Sequence, residues 1–259
     1  MKKKNRKRGR AKKTLGIAAL ALALLLVLVV GGFAVWALNP YPAQPGALRE
    51  AVRTPGVEVT AADDAVVVAS THAPPEAGVV FYPGARVAPE AYAAPWARIA
   101  ADSAVRVVIL RMPLNLAVFD TDRADRAIAD HGGGVDTWYV GGHSLGGAMA
   151  ASHLGGRTDD TVAGLVLWGS YATEGAGLAG RDDLAVLSVT GSRDGLSDPA
   201  TVEENRANLP PDAHTREIQG MNHAQFGAYG AQRGDDPADI GDAEAHRRLA
   251  AATSGFLDR

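Results

Sequence analysis

The stretch that decides the fold runs from residue 137 to residue 147 and reads Thr-Trp-Tyr-Val-Gly-Gly-His-Ser-Leu-Gly-Gly. Its first four residues are mostly β-branched or aromatic, which is typical of a strand. The small and apolar residues from Leu145 to Leu154 favour a helix. Glycines lie close to Ser144 on both sides, so the sequence predicts a serine at a tight turn between a strand and a helix.

This turn fits the pattern Gly-x-Ser-x-Gly, with Gly142, Ser144 and Gly146 at the fixed positions. Three fixed residues in five are a weak signal alone, and the predicted strand and helix on either side strengthen it. In such a turn the serine hydroxyl projects at the carboxyl edge of the sheet, near the positive end of a helix. The sequence therefore predicts that Ser144 is a catalytic nucleophile.

An acidic residue is expected to follow the serine along the chain, and a histidine to follow the acid. Asp194 is the predicted acid because it comes just after the strand predicted at residues 185–190. Asp198 is the alternative acid. It directly precedes Pro199, however, and we expect it to cap the start of a helix.

His223 is the predicted general base, because a serine hydroxyl is a poor nucleophile without one. It lies in the loop after the last predicted strand, residues 215–218, where the base of this arrangement belongs. The other six histidines precede Ser144, lie within predicted helices or precede the last strand. Among them, His143 lies inside the turn, and its side chain is expected to point away from the reactive face of Ser144.

The predicted chemistry also needs two N–H donors for the developing oxyanion. One is expected to be the backbone N–H of Leu145, the residue after the nucleophile. The other is expected from the loop after the apolar run at residues 78–82, which continues as Pro83-Gly84-Ala85. Proline has no N–H and Gly84 permits a sharp turn, so Ala85 is the predicted second donor.

The rest of the body alternates between strand-like and helix-like patterns. Eight strands are predicted, at residues 57–60, 65–70, 78–82, 105–110, 137–140, 162–168, 185–190 and 215–218. Helices are predicted between and after them, including 90–101, 122–131, 145–154, 199–209 and 243–257. Continuously apolar strands separated by helices indicate an α/β fold with a mostly parallel sheet covered on both faces. Residues 57–259 are therefore predicted to form one domain.

The N-terminal segment has a different composition from the body. Residues 1–14 include nine basic residues and no acidic one, and residues 15–38 contain no charge. A run of 24 apolar residues is long enough to cross a bilayer as one helix. The sequence therefore predicts a basic cytoplasmic tail, a transmembrane anchor over 15–38 that contacts the lipid bilayer, and a Pro-rich linker over 39–56.

The charge distribution predicts where the body lies. Basic residues before a spanning segment stay in the cytoplasm, so the body is expected outside it, on a single-pass membrane protein. The alternative is a secretory signal with cleavage near Val35-Trp36-Ala37, which would give a secreted protein. Both alternatives put the body outside the cytoplasm.

Composition excludes several classes of function. The residues after the basic tail carry 17 basic and 29 acidic side chains, and so nucleic acid is not an expected partner of the body. The chain has no cysteine, which excludes disulfides, thiolate metal sites and a cysteine nucleophile. No metal and no organic cofactor is expected.

Four segments together resemble a bacterial α/β-hydrolase family, in a minimal branch related to the dienelactone-hydrolase-like enzymes. They are the loop at 81–85, the turn at 142–146, the Gly-Ser-Arg-Asp-Gly turn at 191–195 and the Asn-His-Ala-Gln-Phe-Gly loop at 222–227. The resemblance implies an eight-stranded, mostly parallel sheet of the α/β-hydrolase fold and a Ser-Asp-His triad. This chain has a serine as its predicted nucleophile, whereas true dienelactone hydrolases use cysteine.

The expected function is therefore that of a serine hydrolase acting on a small-molecule, ester-type substrate. A carboxylic ester is the default, and transfer of the acyl group to another alcohol would use the same residues. The competing hypothesis is a noncatalytic binding or scaffold protein that keeps the fold, because a fold does not fix a function.

Overall fold

An eight-stranded sheet organises the body of the chain. The computed structural model describes residues 2–157 and 161–258, with side chains from residue 15 onward. The strands are β1 (Val57–Ala61), β2 (Ala65–Ser70), β3 (Ala77–Tyr82), β4 (Val105–Leu110), β5 (Thr137–His143), β6 (Val162–Trp168), β7 (Ala185–Gly191) and β8 (His214–Ile218). All eight predicted strands are confirmed, with bounds within a few residues of those expected.

The order of the strands brings the important loops to one edge of the sheet. The order is β1-β2-β4-β3-β5-β6-β7-β8, with β1, β2 and β4 paired antiparallel and the neighbours from β4 to β8 paired parallel. Parallel neighbours end at the same edge. The loops after β3, β5, β6, β7 and β8 therefore start side by side.

Helices cover both faces of the sheet. In the body these helices are α2 (Ala47–Arg53), α3 (Ala93–Asp102), α4 (Arg123–His131), α5 (Leu145–Gly155), α6 (Pro199–Glu204) and α7 (Asp242–Leu257), while α1 (Lys2–Ala37) belongs to the N-terminal unit. Buried residues of α2, α3 and α7 belong to one apolar cluster, and those of α4 and α5 belong to a second. Successive residues of β3 alternate between the clusters, since a strand turns its side chains to opposite faces.

Three aromatic rings form the centre of the first cluster. Phe81 of β3 packs against Trp96 of α3 and Trp168 of β6, with ring centroids 5.2 and 4.8 Å apart. The two indoles stack on each other at 4.6 Å. All three side chains are fully buried, so they join the sheet to the helix layer just below the edge where the predicted site residues lie.

Two predicted helices differ from the expected ones. The helix predicted at residues 90–101 is a 3₁₀ turn over Pro89–Tyr92 followed by α3, and Pro95 lies in the first turn of α3. A first-turn residue needs no intrahelical acceptor, so proline is tolerated there without a kink. The helix predicted at 199–209 ends at Glu204, and a separate 3₁₀ turn, Arg206–Asn208, follows.

The linker predicted over residues 39–56 is corrected by the structure. Residues from Pro40 onward belong to the compact body, and Ala47–Arg53 form α2. Ala47 and Ala51 are buried, which places α2 against the α3 side of the sheet. Prolines and glycine before residue 47 suggested a spacer, but the two buried alanines one turn apart give the following segment a packing face.

The N-terminal unit, residues 1–39, contains a single long helix, α1. Within it, Leu15–Ala37 is a 23-residue stretch with a mean hydropathy of 2.8, and its most apolar part is not buried in protein. By length and composition, this helix is suited to span a membrane or to act as a signal sequence.

Replacement of Trp96 tests the aromatic centre of the core. Trp96→Ala removes a fully buried indole, and we expect it to lower the free energy of unfolding by about 3–5 kcal/mol. Val52→Ala, at an exposed position of α2, is the control and should change it by less than about 0.5 kcal/mol. Chemical denaturation followed by circular dichroism measures both. Equal stabilities of the two variants would contradict the assigned core.

Candidate active site

Ser144 occupies a strained turn between β5 and α5. Its φ and ψ are 53° and −127°, a conformation that residues with a side chain seldom adopt. The backbone around it is fixed by two hydrogen bonds. The Ser144 N–H donates to the Trp168 carbonyl oxygen at 3.0 Å, and the Ser170 hydroxyl donates to the Ser144 carbonyl oxygen at 2.7 Å. The surrounding fold therefore holds the strain in place.

The glycines of the turn are required by close backbone contacts. A Cβ atom at Gly142 would lie 2.5 Å from the Gly146 carbonyl carbon. A Cβ atom at Gly146 would overlap the carbonyl oxygen of Tyr82, at the end of β3. The start of α5 thus lies directly against the end of β3 and the loop that follows it.

Asp194 and His223 form a buried hydrogen-bonded pair. His223 Nδ1 lies 2.8 Å from Asp194 Oδ2, and both side chains are fully buried. The other carboxylate oxygen, Oδ1, accepts hydrogen bonds from the backbone N–H groups of Leu196 and Ser197, at 2.9 and 2.7 Å. Both oxygens of Asp194 act as acceptors, so the Nδ1–H of His223 donates the hydrogen bond to Oδ2, and Nε2 of His223 is the lone-pair nitrogen.

The strand order brings this pair and the serine turn to the same edge. Ser144 is bonded through its backbone to Trp168, and the next residue, Gly169, lies against the acid. A Cβ atom at Gly169 would be 2.9 Å from Asp194 Oδ2. His143, the residue before the serine, has its ring centroid 4.4 Å from that of His223. Nε2 of His223 is buried and has no hydrogen-bond partner among the described residues.

His143 was expected only to point away from the reactive face of Ser144, and its ring lies against that of the predicted base, His223. Tyr92 connects His143 to the loop after β3: the Gly84 N–H donates to the Tyr92 hydroxyl at 3.0 Å, and that hydroxyl lies 2.8 Å from His143 Nδ1. The hydroxyl thus donates its own proton to Nδ1. Burial, followed by the proximity of His223, holds the pKa of His143 well below its ordinary value. His143 is therefore a neutral residue beside the base.

The backbone N–H groups of the two predicted oxyanion donors, Leu145 and Ala85, have no acceptor within the described chain. Leu145 is the first residue of α5, and its N–H has no acceptor among the described residues. In the loop after β3, the Gly84 N–H is taken by Tyr92 and the Arg86 N–H by the Asn115 carbonyl oxygen. The Ala85 N–H between them likewise has no acceptor in the described chain.

Asp198, the alternative acid, caps α6 as predicted. Its carboxylate accepts from the Thr201 N–H at 3.0 Å and from the Thr201 hydroxyl at 2.6 Å. These bonds lower the pKa of Asp198. The residue is exposed, and no contact with His223 is found for it among the described residues. The structure therefore pairs His223 with Asp194.

Two residues that support the site carried no signal in the sequence. Ser170 is almost fully buried and holds the serine turn, but as a serine after a strand it resembles many loop residues. Tyr92 looked like an ordinary apolar position of a helix. Their roles depend on contacts with residues 26 and 51 positions away, which no local pattern encodes.

Metal ligands are not grouped in this part of the chain. Within residues 15–157 and 161–258, no cluster of three or more His, Asp or Glu side chains is arranged to hold a metal ion.

The chain belongs to the alpha/beta hydrolase family. The sequence pattern of that family matches residues 78–247, which is more than half of the chain and includes the serine turn, Asp194 and His223. The predicted fold class is therefore confirmed. No curated protein sequence matches the chain.

Solved structures of esterases have a similar fold. The esterase Est2 of Thermogutta terrifontis is 16% identical, with a TM-score of 0.54 over 79% of this chain and 92% of that chain. The same enzyme phosphorylated by paraoxon is 17% identical, with a TM-score of 0.55 over 79% and 94%. An esterase of Pyrobaculum calidifontis is 18% identical, with a TM-score of 0.54 over 88% and 92%. At these identities the likeness concerns the fold.

Removal of the Tyr92 hydroxyl tests the connection between the β3 loop and His143. Tyr92→Phe leaves the buried Gly84 N–H and His143 Nδ1 without their partner, and we expect a loss of about 1–3 kcal/mol in the free energy of unfolding. Tyr139→Phe is the matched control, because no hydrogen bond of the Tyr139 hydroxyl is found in the described chain. Its stability should stay within about 0.5 kcal/mol of the parent. Chemical denaturation compares them, and equal losses would refute the bridging role.

Proposed function

We propose that the protein is a serine hydrolase that cleaves small carboxylic esters, with Ser144 as nucleophile, His223 as general base and Asp194 as the acid that orients it. The observation that carries the proposal is the fully buried 2.8 Å contact between His223 Nδ1 and Asp194 Oδ2, with Nε2 left unbonded. It occurs at the sheet edge where a serine is held at positive φ. This combination fits the requirements of acyl transfer.

The mechanism follows from these positions in two steps. His223 Nε2 takes the hydroxyl proton of Ser144 while the oxygen attacks the ester carbonyl carbon, and it then gives that proton to the leaving alcohol. In the second step the same nitrogen takes a proton from water as the water oxygen attacks the acyl carbon. The bond from that carbon to the Ser144 oxygen then breaks, the carboxylic acid leaves, and Nε2 returns the proton to the Ser144 oxygen. Asp194 keeps the proton on Nδ1 and stabilises the charged imidazole.

Two backbone donors support the proposed oxyanion site. The N–H groups of Leu145 and Ala85 have no acceptor among the described residues, and they lie on segments that contact each other through Gly146 and Tyr82. A negative oxygen bound there would also lie near the positive end of α5. The neutral state of His143 keeps a second positive charge away from the base.

A small and fairly open site is proposed from the connection between β6 and β7. Residues 169–184 contain only the short 3₁₀ turn Glu174–Ala176, which leaves little chain for a cap over the serine. Short acyl esters fit such a site better than long ones. The esterase names of the structural neighbours agree with an ester substrate. The kinship with a dienelactone-hydrolase-like branch stays a prediction.

We further propose that residues 15–38 anchor the protein in the cell membrane and that the body lies outside the cytoplasm. The support is the apolar stretch Leu15–Ala37 directly after nine basic residues. Positive charge is retained on the cytoplasmic side of a spanning helix. Cleavage after this helix would release the same body as a secreted protein.

Three variants test the triad in the detergent-solubilised full chain. Ser144→Ala should abolish turnover of a short-chain ester and labelling by a fluorophosphonate, because it removes the only nucleophile proposed. Asp194→Asn should lower kcat by about 10⁴-fold, the scale of the equivalent change in serine proteases. Asp198→Asn is the matched control, and it should cost about 1 kcal/mol of stability or less with kcat unchanged.

The outcomes separate the competing functions. A parent protein that neither hydrolyses esters nor takes up the fluorophosphonate would favour the noncatalytic binding or scaffold function. Labelling at Ser144 with acyl transfer to added alcohols in preference to water would favour an acyltransferase. Loss of activity in Asp198→Asn with retention in Asp194→Asn would show that the acid is wrongly assigned.

The orientation of the body is testable on intact cells. Protease added outside should digest the body while an epitope placed at the N-terminus survives, since the basic tail stays in the cytoplasm. Lysis before treatment is the control, in which both should be digested. Full protection of the body until lysis would reverse the proposed topology.

A further inference from the structure

Asp235 joins the loop of the acid to the loop of the base through one carboxylate. Its Oδ1 accepts from the backbone N–H of Gly195 at 3.1 Å and from that of His223 at 3.2 Å. Its Oδ2 accepts from the Ala224 N–H at 2.8 Å. Gly195 directly follows Asp194, and Ala224 directly follows His223. The three donors are therefore the N–H of His223 itself and those of the residues that follow Asp194 and His223.

The bonds of Asp235 are of a strong kind. Backbone N–H groups that donate to an ionised carboxylate make charge-assisted hydrogen bonds, which exceed neutral ones in strength. Oδ1 also accepts from the N–H of Asp236 at 2.9 Å, which fixes the orientation of the carboxylate itself. The residue is half-buried, so water competes less with these bonds than it does at the surface.

A second contact of the same segment is weaker. Asp239 accepts two hydrogen bonds from Arg193, the residue before Asp194, at 2.6 and 3.0 Å, but both side chains are about half exposed. Exposed ion pairs contribute little to stability. Within residues 235–239, Asp235 is thus the residue whose side chain bonds to both the loop of Asp194 and the loop of His223.

We propose that Asp235 is a positioning residue that sets the alignment of His223 with Asp194 and Ser144. This proposal rests on the proposed function, because the alignment of His223 matters for turnover only if Ser144, Asp194 and His223 carry out the reaction. Asp235 bonds only to backbone groups of the loops and acts through them. The loops after β7 and β8 also bond to each other directly, from the Arg193 N–H to the Met221 carbonyl oxygen at 2.9 Å and from the Gly220 N–H to the Ser192 hydroxyl at 2.8 Å. The Asp235 carboxylate adds a link beyond these bonds, at His223 itself and at the residue after Asp194.

The expected effect is on the rate of the chemical step. A displacement of about 1 Å in a reacting group can lower a rate by about 100-fold. Asp235→Ala removes every acceptor, and we expect kcat to fall by about 100-fold with little change in KM. Asp235→Asn keeps one acceptor oxygen and should lose less, about 10-fold.

The test uses the full chain in detergent with Asp236→Asn as the matched control. That substitution removes the same charge from the next residue, and no hydrogen bond of the Asp236 carboxylate is found among the described residues. The measurements are kcat and KM for a short-chain ester, the rate of fluorophosphonate labelling at Ser144, and the downfield proton NMR signal of the His223 Nδ1–H. In Asp235→Ala the labelling should slow in parallel with kcat and the NMR signal should broaden, while Asp236→Asn stays as the parent.

The outcomes distinguish this inference from the proposed function. A folded Asp235→Ala with parental kcat, labelling rate and NMR signal would overturn the positioning role. If Asp235→Ala fails to fold, Asp235→Asn decides: parental kcat and NMR signal there would equally overturn it. Absence of labelling in the parent would refute the proposed function, and the NMR signal would still show whether Asp235 aligns His223 with Asp194.

Discussion

The structure of the site depends on a turn that is unfavourable by itself. Ser144 at positive φ costs on the order of 1–3 kcal/mol, so the turn persists only where the surrounding chain determines it. Two hydrogen bonds and one close approach hold the turn. The Ser144 backbone bonds to the Trp168 carbonyl oxygen and to the Ser170 hydroxyl, and Gly146, which has no side chain, lets α5 contact the end of β3. Those contacts need β3, β5 and β6 to be parallel neighbours, and this is the order of the sheet.

The polar groups behind this turn are tolerated because most of them are paired. Asp194 accepts from His223 and from two backbone N–H groups, which compensates the burial of its charge. His143 is fully buried beside His223, and its neutral form avoids the repulsion that two imidazolium rings would have. The Tyr92 hydroxyl donates a hydrogen bond to Nδ1 of this neutral ring. Nε2 of His223 has no hydrogen-bond partner in the described chain. A general base needs such an unbonded nitrogen to accept a hydroxyl proton.

Most of the fold was predictable from the sequence. Apolar runs such as Val105–Leu110 and Val162–Trp168 are buried almost throughout, so their composition reports the burial directly. Glycine positions around Ser144 were informative because only glycine fits the close contacts there. The segment Ala47–Arg53 was not predicted, because α2 is short and its helical face consists of two alanines that packing alone makes significant.

The sequence by itself determined the order of the strands along the chain, the apolar N-terminal stretch, and the serine, acid and histidine that make up the predicted triad. These are properties of local composition and spacing, so they can be read without knowing which residues come into contact in the folded chain. The sequence favoured Asp194 over Asp198, but only the tertiary structure shows the contact of His223 with Asp194, the packing of His143 against His223 and the bonds of Asp235 to both loops. Those contacts join residues that are 12 to 80 positions apart, and they depend on which strands are neighbours. Hydrogen-bond geometry between distant loops arises when the sheet is assembled, so it has no local pattern to reveal it.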